Sequence, residues 1–147
     1  FLRRPDSHLG LANFMRSHLY ASLATLKIGL DILLKEEDVK IDSITGHGGL
    51  FKTKGVGQSI LAAAMNAPIS VMETAGEGGA WGMALLAAYM LSKKDGQSLG
   101  DYLDSRVFAE RKSETMEPDL ADVAGFETYT KQYQACLAAE KAAVQAF

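Results

Sequence analysis

The feature that most constrains the fold is a short apolar run that ends in a glycine-rich turn and precedes a helical pattern, because it occurs twice in succession. The first unit covers residues 39–66 and carries five glycines within twelve residues, among them those of Gly46-His47-Gly48-Gly49. The second unit covers residues 69–91 and has its turn at 74–79. A repeated order of strand, turn and helix predicts an α/β layer arrangement.

Helical periodicity marks both ends of the chain. From Leu11, apolar residues recur three and four apart up to the charged cluster at 35–38, which predicts a helix of roughly six turns. A terminal helix is predicted over 124–147. The helix predicted over 80–91 is almost wholly apolar, so burial on most of its sides is expected.

We predict a single domain over residues 1–147. Its core covers about 11–92, a less regular segment covers 93–122, and the terminal helix follows. Within the less regular segment, 98–103 is predicted as a short helix and 106–122 as a charged loop. The predicted strands, near Ile44 and Val71, are too few for an independent sheet of the usual size. Further strands are therefore expected from elsewhere, and a chain that opens on Phe1 fits a piece of a longer protein.

The composition restricts the class of protein. The net charge is −3, with 48% hydrophobic and 22% charged residues, as in an ordinary globular domain. Interleaved charges give no basic patch for nucleic acid, and no apolar run reaches the roughly 18 residues that a membrane helix needs. The single Cys136 excludes an intrachain disulfide and fits a reducing compartment, so a cytoplasmic location is expected.

The two glycine turns are the candidate ligand site, because open α/β sheets bind ligands at the carboxyl ends of their strands. Glycine lets the backbone approach a ligand closely, and the start of a helix favours phosphate. Lys52 and Lys54 add positive charge. Turns that are merely tight explain the glycines equally well at this point. Neither G-x-G-x-x-G nor the P-loop pattern is present in the right context.

Other chemically interesting residues have plainer explanations. His47 is interpreted as packed or hydrogen-bonded within the turn, and Glu77 as capping the helix that follows it. Trp81 and the aromatic stripe at 126–133 are interpreted as packing. No residue is predicted to be catalytic and no metal ligands are predicted, since His8 and His18 lack partners at ligand spacing.

Motifs in consistent order resemble the C-terminal domain of the FGGY family of carbohydrate kinases. The glycine turn is followed by a helix, a short strand after Pro68, and Glu77-Gly-Gly-Ala80-Trp-Gly82-Met-Ala84, which is similar to the family's Glu-x-x-Ala-x-Gly-x-Ala. Upstream, Arg16-Ser-His-Leu19-Tyr-Ala-Ser-Leu-Ala24 resembles a family helix. The xylulokinase and ribulokinase branches look nearest.

The resemblance implies the actin-like, ribonuclease-H-like ATPase fold, here a short sheet covered by helices. It implies that this domain binds ATP or ADP, with Mg²⁺ held mainly through the phosphates and the missing N-terminal domain. By position, nucleotide contacts fall on Gly48, Gly49, Leu50, Lys52, Thr53 and Lys54, with Thr53 standing where some members have an Asn that contacts adenine. The sugar and the aspartate base belong to the N-terminal domain, so the present chain alone is expected to be inactive.

Two other readings are kept as alternatives to a kinase that phosphorylates a ketose or a related polyol. One is the nucleotide-binding lobe of another actin-like ATPase, and the other is a non-enzymatic α/β interaction domain. The segment 96–122 is interpreted as a dimer element, a lid or a plain loop. The acceptor sugar is not specified, because its determinants belong to the missing N-terminal domain.

Overall fold

The computed structural model describes residues 1–109 and 113–146, which form five α-helices and a three-stranded sheet. The helices are α1 (Leu11–Lys35), α2 (Val56–Met65), α3 (Gly78–Ser92), α4 (Leu99–Tyr102) and α5 (Leu120–Gln145). The strands are β1 (Ile44–Gly46), β2 (Ile69–Met72) and β3 (Ser113–Met116). Two short 3₁₀ turns, Gly49–Phe51 and Ala75–Glu77, lie directly after β1 and after the end of β2.

The sheet has the order β1-β2-β3, with β2 in the centre. β1 pairs with β2 in parallel, so that Gly46 lies opposite Val71, and β3 pairs with β2 in the antiparallel direction, so that Val71 lies opposite Glu114. Because β3 runs against the other two strands, its first residues lie at the carboxyl ends of β1 and β2. Both glycine turns and the start of β3 therefore meet at one edge of the sheet.

The core lies between β2 and a layer made of α1, α2 and α5. Seven of the ten residues of α2 are buried, and α2 packs against both long helices. Phe126 of α5 is fully buried and its ring centre lies 4.8 Å from that of Tyr20 on α1. The terminal helix thus joins the core, and the packing role predicted for the aromatic stripe is confirmed at Phe126 and Tyr129.

The boundaries of α1 agree with the prediction, whereas α5 begins earlier than predicted and β1 is shorter than the apolar run that opens the first unit at residue 39. β1 begins only at Ile44, because Asp38 has a positive φ of 51° and the connection up to Asp42 is exposed. α5 begins at Leu120 instead of 124, because the Asp119 carboxylate accepts hydrogen bonds from the backbone N–H groups of Ala121 and Asp122. Phe147, in the predicted terminal helix, lies outside the described residues.

The prediction that 106–122 is a loop is wrong for residues 113–116, which form β3. It is also wrong at both ends, since 106–107 belong to a π-helical turn and 120–122 to α5. Residues 110–112 of that range lie outside the described part. The open edge of β2 supplies main-chain partners that local sequence does not reveal. The Oγ of Ser70 and the Oγ1 of Thr115 form a hydrogen bond of 2.8 Å across this pair. The short helix predicted at 98–103 is confirmed as α4, which continues into a π-helical turn over Leu103–Val107.

The prediction that the apolar helix after the second glycine turn is buried on most sides is wrong. α3 contains no buried residue, and Met83, Met90 and Leu91 are 70%, 77% and 90% exposed. Trp81, interpreted from sequence as core, is half-buried. Periodicity and composition report how apolar a helix is, but they do not report whether a partner covers it.

Candidate functional site

A cavity of about 400 Å³ opens at the carboxyl end of β2, beside the start of β3, and we call it the edge cavity. Its walls come from the loop after the first 3₁₀ turn, the first turn of α2, the end of β2 and the start of β3. The residues that line it are Phe51, Lys52, Thr53, Lys54, Gly55, Gln58, Val71, Met72, Glu73, Ser113 and Glu114. The cavity therefore lies where an open α/β sheet is expected to bind a ligand.

The first glycine turn is tied to the second one beside this cavity. Gly48 has φ 107° and ψ −175°, a conformation that is essentially restricted to glycine. Its N–H donates a 2.7 Å hydrogen bond to the carbonyl of Ala75, in the turn after β2. The carbonyls of Gly48 and Gly49 accept hydrogen bonds from the N–H groups of Phe51 and Lys52. The bend of the chain at the end of β1 is thus fixed by its own backbone.

The five glycines of the first unit have different roles. A Cβ on Gly46 would lie 2.3 Å from the ring of Phe51, and a Cβ on Gly57 would lie 2.3 Å from the carbonyl oxygen of Leu50, so both positions are closely packed. Gly55 has φ 79° and precedes α2. A Cβ on Gly49 would meet no atom within 4 Å. Gly49 therefore faces open space, where a ligand can approach its backbone.

The structure brings three of the six predicted contact residues together in the edge cavity. Lys52, Thr53 and Lys54 line it and are exposed. Gly48 and Gly49 lie in the adjoining turn and do not line this cavity, and Leu50 packs its side chain against the core. The edge cavity thus combines residues of the loop before α2 with residues of α2, β2 and β3.

The two lysines of the cavity are held by carboxylates. Lys52 Nζ lies 2.7 Å from Glu77 Oε1, and Lys54 Nζ lies 3.0 Å from Glu114 Oε2. Glu77 occupies the N-cap position of α3, as predicted, but its side chain makes no capping hydrogen bond and pairs with Lys52 instead. These ion pairs connect the loop before α2 with the second glycine turn on one side and with β3 on the other.

Gln58 fixes the wall that β3 contributes. It is 5% exposed, and its Nε2 donates hydrogen bonds of 2.8 Å to the carbonyls of Ile69 and Glu114. Sequence reasoning did not identify Gln58, Ser113 or Glu114 as site residues. A signal existed for Gln58, since a single amide near the start of an otherwise apolar, buried helix needs a hydrogen-bond partner. No comparable signal marked β3.

His47 lies at the mouth of a second, largely apolar cavity of about 420 Å³, which α3, α4 and the π-helical turn enclose. Its Nδ1 would lie 3.4 Å from a Cβ on Gly78, but His47 is exposed, so the ring lies beside the second glycine turn without being buried in it. Trp81 lines the same cavity, with its ring centre 6.1 Å from that of Phe108. This cavity provides apolar contact surface and few polar groups.

The described residues contain neither a candidate metal-binding cluster nor a helix that could span a membrane. Within 1–109 and 113–146, no group of three or more His, Cys, Asp or Glu side chains could hold a metal ion. Beside the edge cavity, the carboxylates of Glu77 and Glu114 pair with lysines. Over the same residues, no helix combines the length and apolarity needed to cross a bilayer.

Comparison with known proteins gave one positive result. The family model for the C-terminal domain of the FGGY family of carbohydrate kinases matches residues 1–91. The matched residues include α1, both glycine turns and nearly all of α3, but not β3 or α5. The searches of curated proteins and of solved structures returned no match.

Proposed function

Since the chain belongs to the FGGY family of carbohydrate kinases, we propose that the first glycine turn and the edge cavity bind the nucleotide in a phosphoryl transfer from ATP to a sugar. The fold is that of actin-like ATPases, in which ligands are expected at this edge of the sheet. The observation that carries the proposal is the geometry of the edge. Gly49 faces open space beside a cavity that Lys52, Thr53 and Lys54 line.

The residues of this chain would bind and orient the nucleotide. The backbone at Gly48 and Gly49 would lie against the nucleotide, and the cavity is large enough to accept its nucleoside part. Phosphoryl transfer needs little covalent chemistry from the protein and depends on positioning and charge stabilisation. Mg²⁺ would neutralise phosphate charge, and because the described residues offer no metal cluster, it would be held through the phosphates and another domain.

Other parts of the reaction are proposed to lie outside this chain. The acceptor would be a ketose or related polyol, as in the xylulokinase and ribulokinase branches, and an N-terminal domain would provide the sugar site and the aspartate base. The order of the described sheet supports a larger assembly, because β1 is an edge strand with one side unpaired. The exposed free Cys136 supports a reducing, cytoplasmic setting.

Titration of the ¹⁵N-labelled chain with ADP tests the nucleotide site. We expect the amide signals of 48–54 to shift in the millimolar range, since only one wall of the cleft is present, whereas signals of α5 should stay unchanged. If millimolar ADP leaves 48–54 unperturbed, the glycines are plain turns and the interaction-domain alternative is favoured.

A variant pair locates the bound nucleotide. Gly49→Val places a side chain in open space, and we expect it to weaken ADP binding about tenfold by blocking the ligand (~1.4 kcal/mol). Gly29→Val is the matched control, because Gly29 also has no atom within 4 Å of an added Cβ but lies on α1. Equal affinities for both variants would contradict the proposed position.

The activity assay tests the proposal that the sugar site and the base lie in an N-terminal domain outside this chain. Incubated with ATP, Mg²⁺ and a panel of ketoses and polyols, the 147-residue chain is expected to give no sugar phosphate, because the aspartate base is proposed to lie in the N-terminal domain. Sugar phosphorylation by this chain would show that the base lies within it.

A further inference from the structure

The edge cavity is lined by as many cationic as anionic side chains. Lys52 and Lys54 line it together with Glu73 and Glu114, and Glu77 reaches Lys52 from the neighbouring turn. The ammonium groups of both lysines are 2.7 and 3.0 Å from a carboxylate oxygen. The cavity thus differs from an ordinary anion site, in which unpaired lysines or arginines face the ligand.

The carboxylate that holds Lys54 is fixed in place by the fold. Glu114 is paired in the sheet with Val71, and its carbonyl accepts a hydrogen bond from the buried Gln58. Its side chain leaves β3 at the mouth of the cavity and reaches Lys54. The backbone that carries Glu114 is therefore held independently of the ion pair.

The carboxylate that holds Lys52 is fixed in a similar way. Glu77 lies at the end of a 3₁₀ turn, where its N–H donates to the carbonyl of Thr74. The alkyl part of Lys52 lies against Gly76, since a Cβ there would be 3.1 Å from Lys52 Cγ. The glycine leaves room for the lysine to cross the turn toward Glu77.

We propose that Glu77 and Glu114 are specificity-determining residues that prevent the edge cavity from binding free polyphosphate. A free anion that approaches either lysine also meets the carboxylate paired with that lysine, and the two negative charges repel each other. Binding therefore requires contacts with the nucleoside or phosphates whose charge Mg²⁺ has reduced. This inference rests on the proposed nucleotide-binding function, which it deepens.

The test compares two probes, tripolyphosphate without a metal and ADP with Mg²⁺, in titrations of the 147-residue chain and its variants. Glu77→Gln and Glu114→Gln each remove one competing charge and keep the shape of the side chain. We expect each variant to bind tripolyphosphate about two- to fivefold more tightly, the range that exposed ion pairs support. The affinity for magnesium ADP should change less. The gain in tripolyphosphate affinity should shrink at high salt, which screens the charges.

Glu140→Gln is the matched control, because it makes the same change in net charge on α5, away from the cavity. It should leave both affinities unchanged. Glu77 and Glu114 lie on different elements, so a folding defect in one variant leaves the other informative. The double variant Lys52→Met/Glu77→Gln should lose the gain in tripolyphosphate affinity, because that gain depends on the ammonium group of Lys52. A purely structural effect of Glu77→Gln would persist in the double variant.

Two results overturn the inference and separate it from the proposed function. If the wild-type chain binds magnesium ADP at 48–54 but neither variant changes the ratio of the two affinities, only the role of the carboxylates is wrong. If the wild-type chain binds no magnesium ADP, the proposed function fails and this inference fails with it.

Discussion

At the scale of single residues, the glycines of the first unit divide by what surrounds them. Gly46 and Gly57 have no room for a side chain, Gly48 and Gly55 have positive φ, and Gly49 has neither constraint. Gly49 is therefore the glycine of this unit that neither packing nor a positive φ requires. Gly29 on α1 has the same freedom, so the proposed ligand contact of Gly49 rests on its place in the turn after β1.

The first prediction compares alanine at two of these glycines. Gly57→Ala should lower the free energy of unfolding by about 1–3 kcal/mol, because the new Cβ would meet the backbone oxygen of Leu50 and α2 must shift. Gly49→Ala should change it by less than about 0.5 kcal/mol, as expected for an exposed site away from packing. Urea unfolding monitored by circular dichroism measures both, and equal losses would contradict the assignment.

The sequence allowed part of this division to be predicted. The resemblance placed ligand contacts on Gly48 and Gly49 but not on Gly55 or Gly57, and in the structure Gly57 packs closely against Leu50. It did not separate Gly48 from Gly49, because positive φ depends on how the turn is tied to Ala75, about 27 residues further along the chain. Long-range hydrogen bonds of this kind leave no local pattern.

At the scale of elements, β3 is the part of the site that the sequence did not reveal. Four residues, of which the first three are exposed, are too short to stand out from a charged loop. What makes them a strand is the open edge of β2 together with the side chain of Gln58. The helices were predictable because their apolar repeats are long, whereas this strand depends on partners elsewhere in the chain.

The second prediction concerns Gln58. Gln58→Leu keeps the approximate shape but leaves the carbonyls of Ile69 and Glu114 without this donor, so we expect a loss of about 1–3 kcal/mol. Hydrogen exchange at 113–116 should accelerate more than exchange within α1. Gln132→Leu on the exposed side of α5 is the control, and similar exchange in both variants would show that Gln58 does not hold β3.

The third prediction concerns the charges on α1. Burial raises the pKa of the Asp31 carboxyl, but hydrogen bonds from Lys27 and Lys35, together with their charges, outweigh it and leave the pKa below 3.8. A lowered folded-state pKa means that the contribution of Asp31 to stability is present above pH 3.8 and is lost as the pH falls through the folded-state pKa. Asp31→Asn should therefore destabilise the chain by about 0.5–1 kcal/mol at pH 7.

Urea unfolding at pH 7 and at pH 3 checks this prediction. The difference between wild type and Asp31→Asn should shrink at the lower pH, where protonation removes the wild-type advantage. Asp42→Asn, in the exposed connection between α1 and β1, serves as the control. A difference that stays constant between the two pH values would show that packing, and not charge, causes the effect of Asp31→Asn.

At the scale of the whole molecule, burial is uneven. The buried core lies between β2 and the layer of α1, α2 and α5, whereas α3 carries an apolar surface without one buried residue. Composition predicted a buried helix because it cannot distinguish apolar surface that the same chain covers from apolar surface that it leaves open. A single chain that leaves so much of one helix uncovered is unusual for a monomeric domain.

The last prediction tests whether this surface is contiguous. Met83, Met90 and Leu91 are spaced seven and eight residues apart, so they lie on one face of α3. Replacing all three with Gln should lower the fluorescence of a bound hydrophobic dye, while the free energy of unfolding should change little, because these side chains are 70–90% exposed. The control replaces Leu11, Leu120 and Val144, which are 72–78% exposed but distributed over α1 and α5. Scattered apolar residues bind the dye poorly, so an equal decrease in both triple variants would show that α3 presents no continuous apolar face.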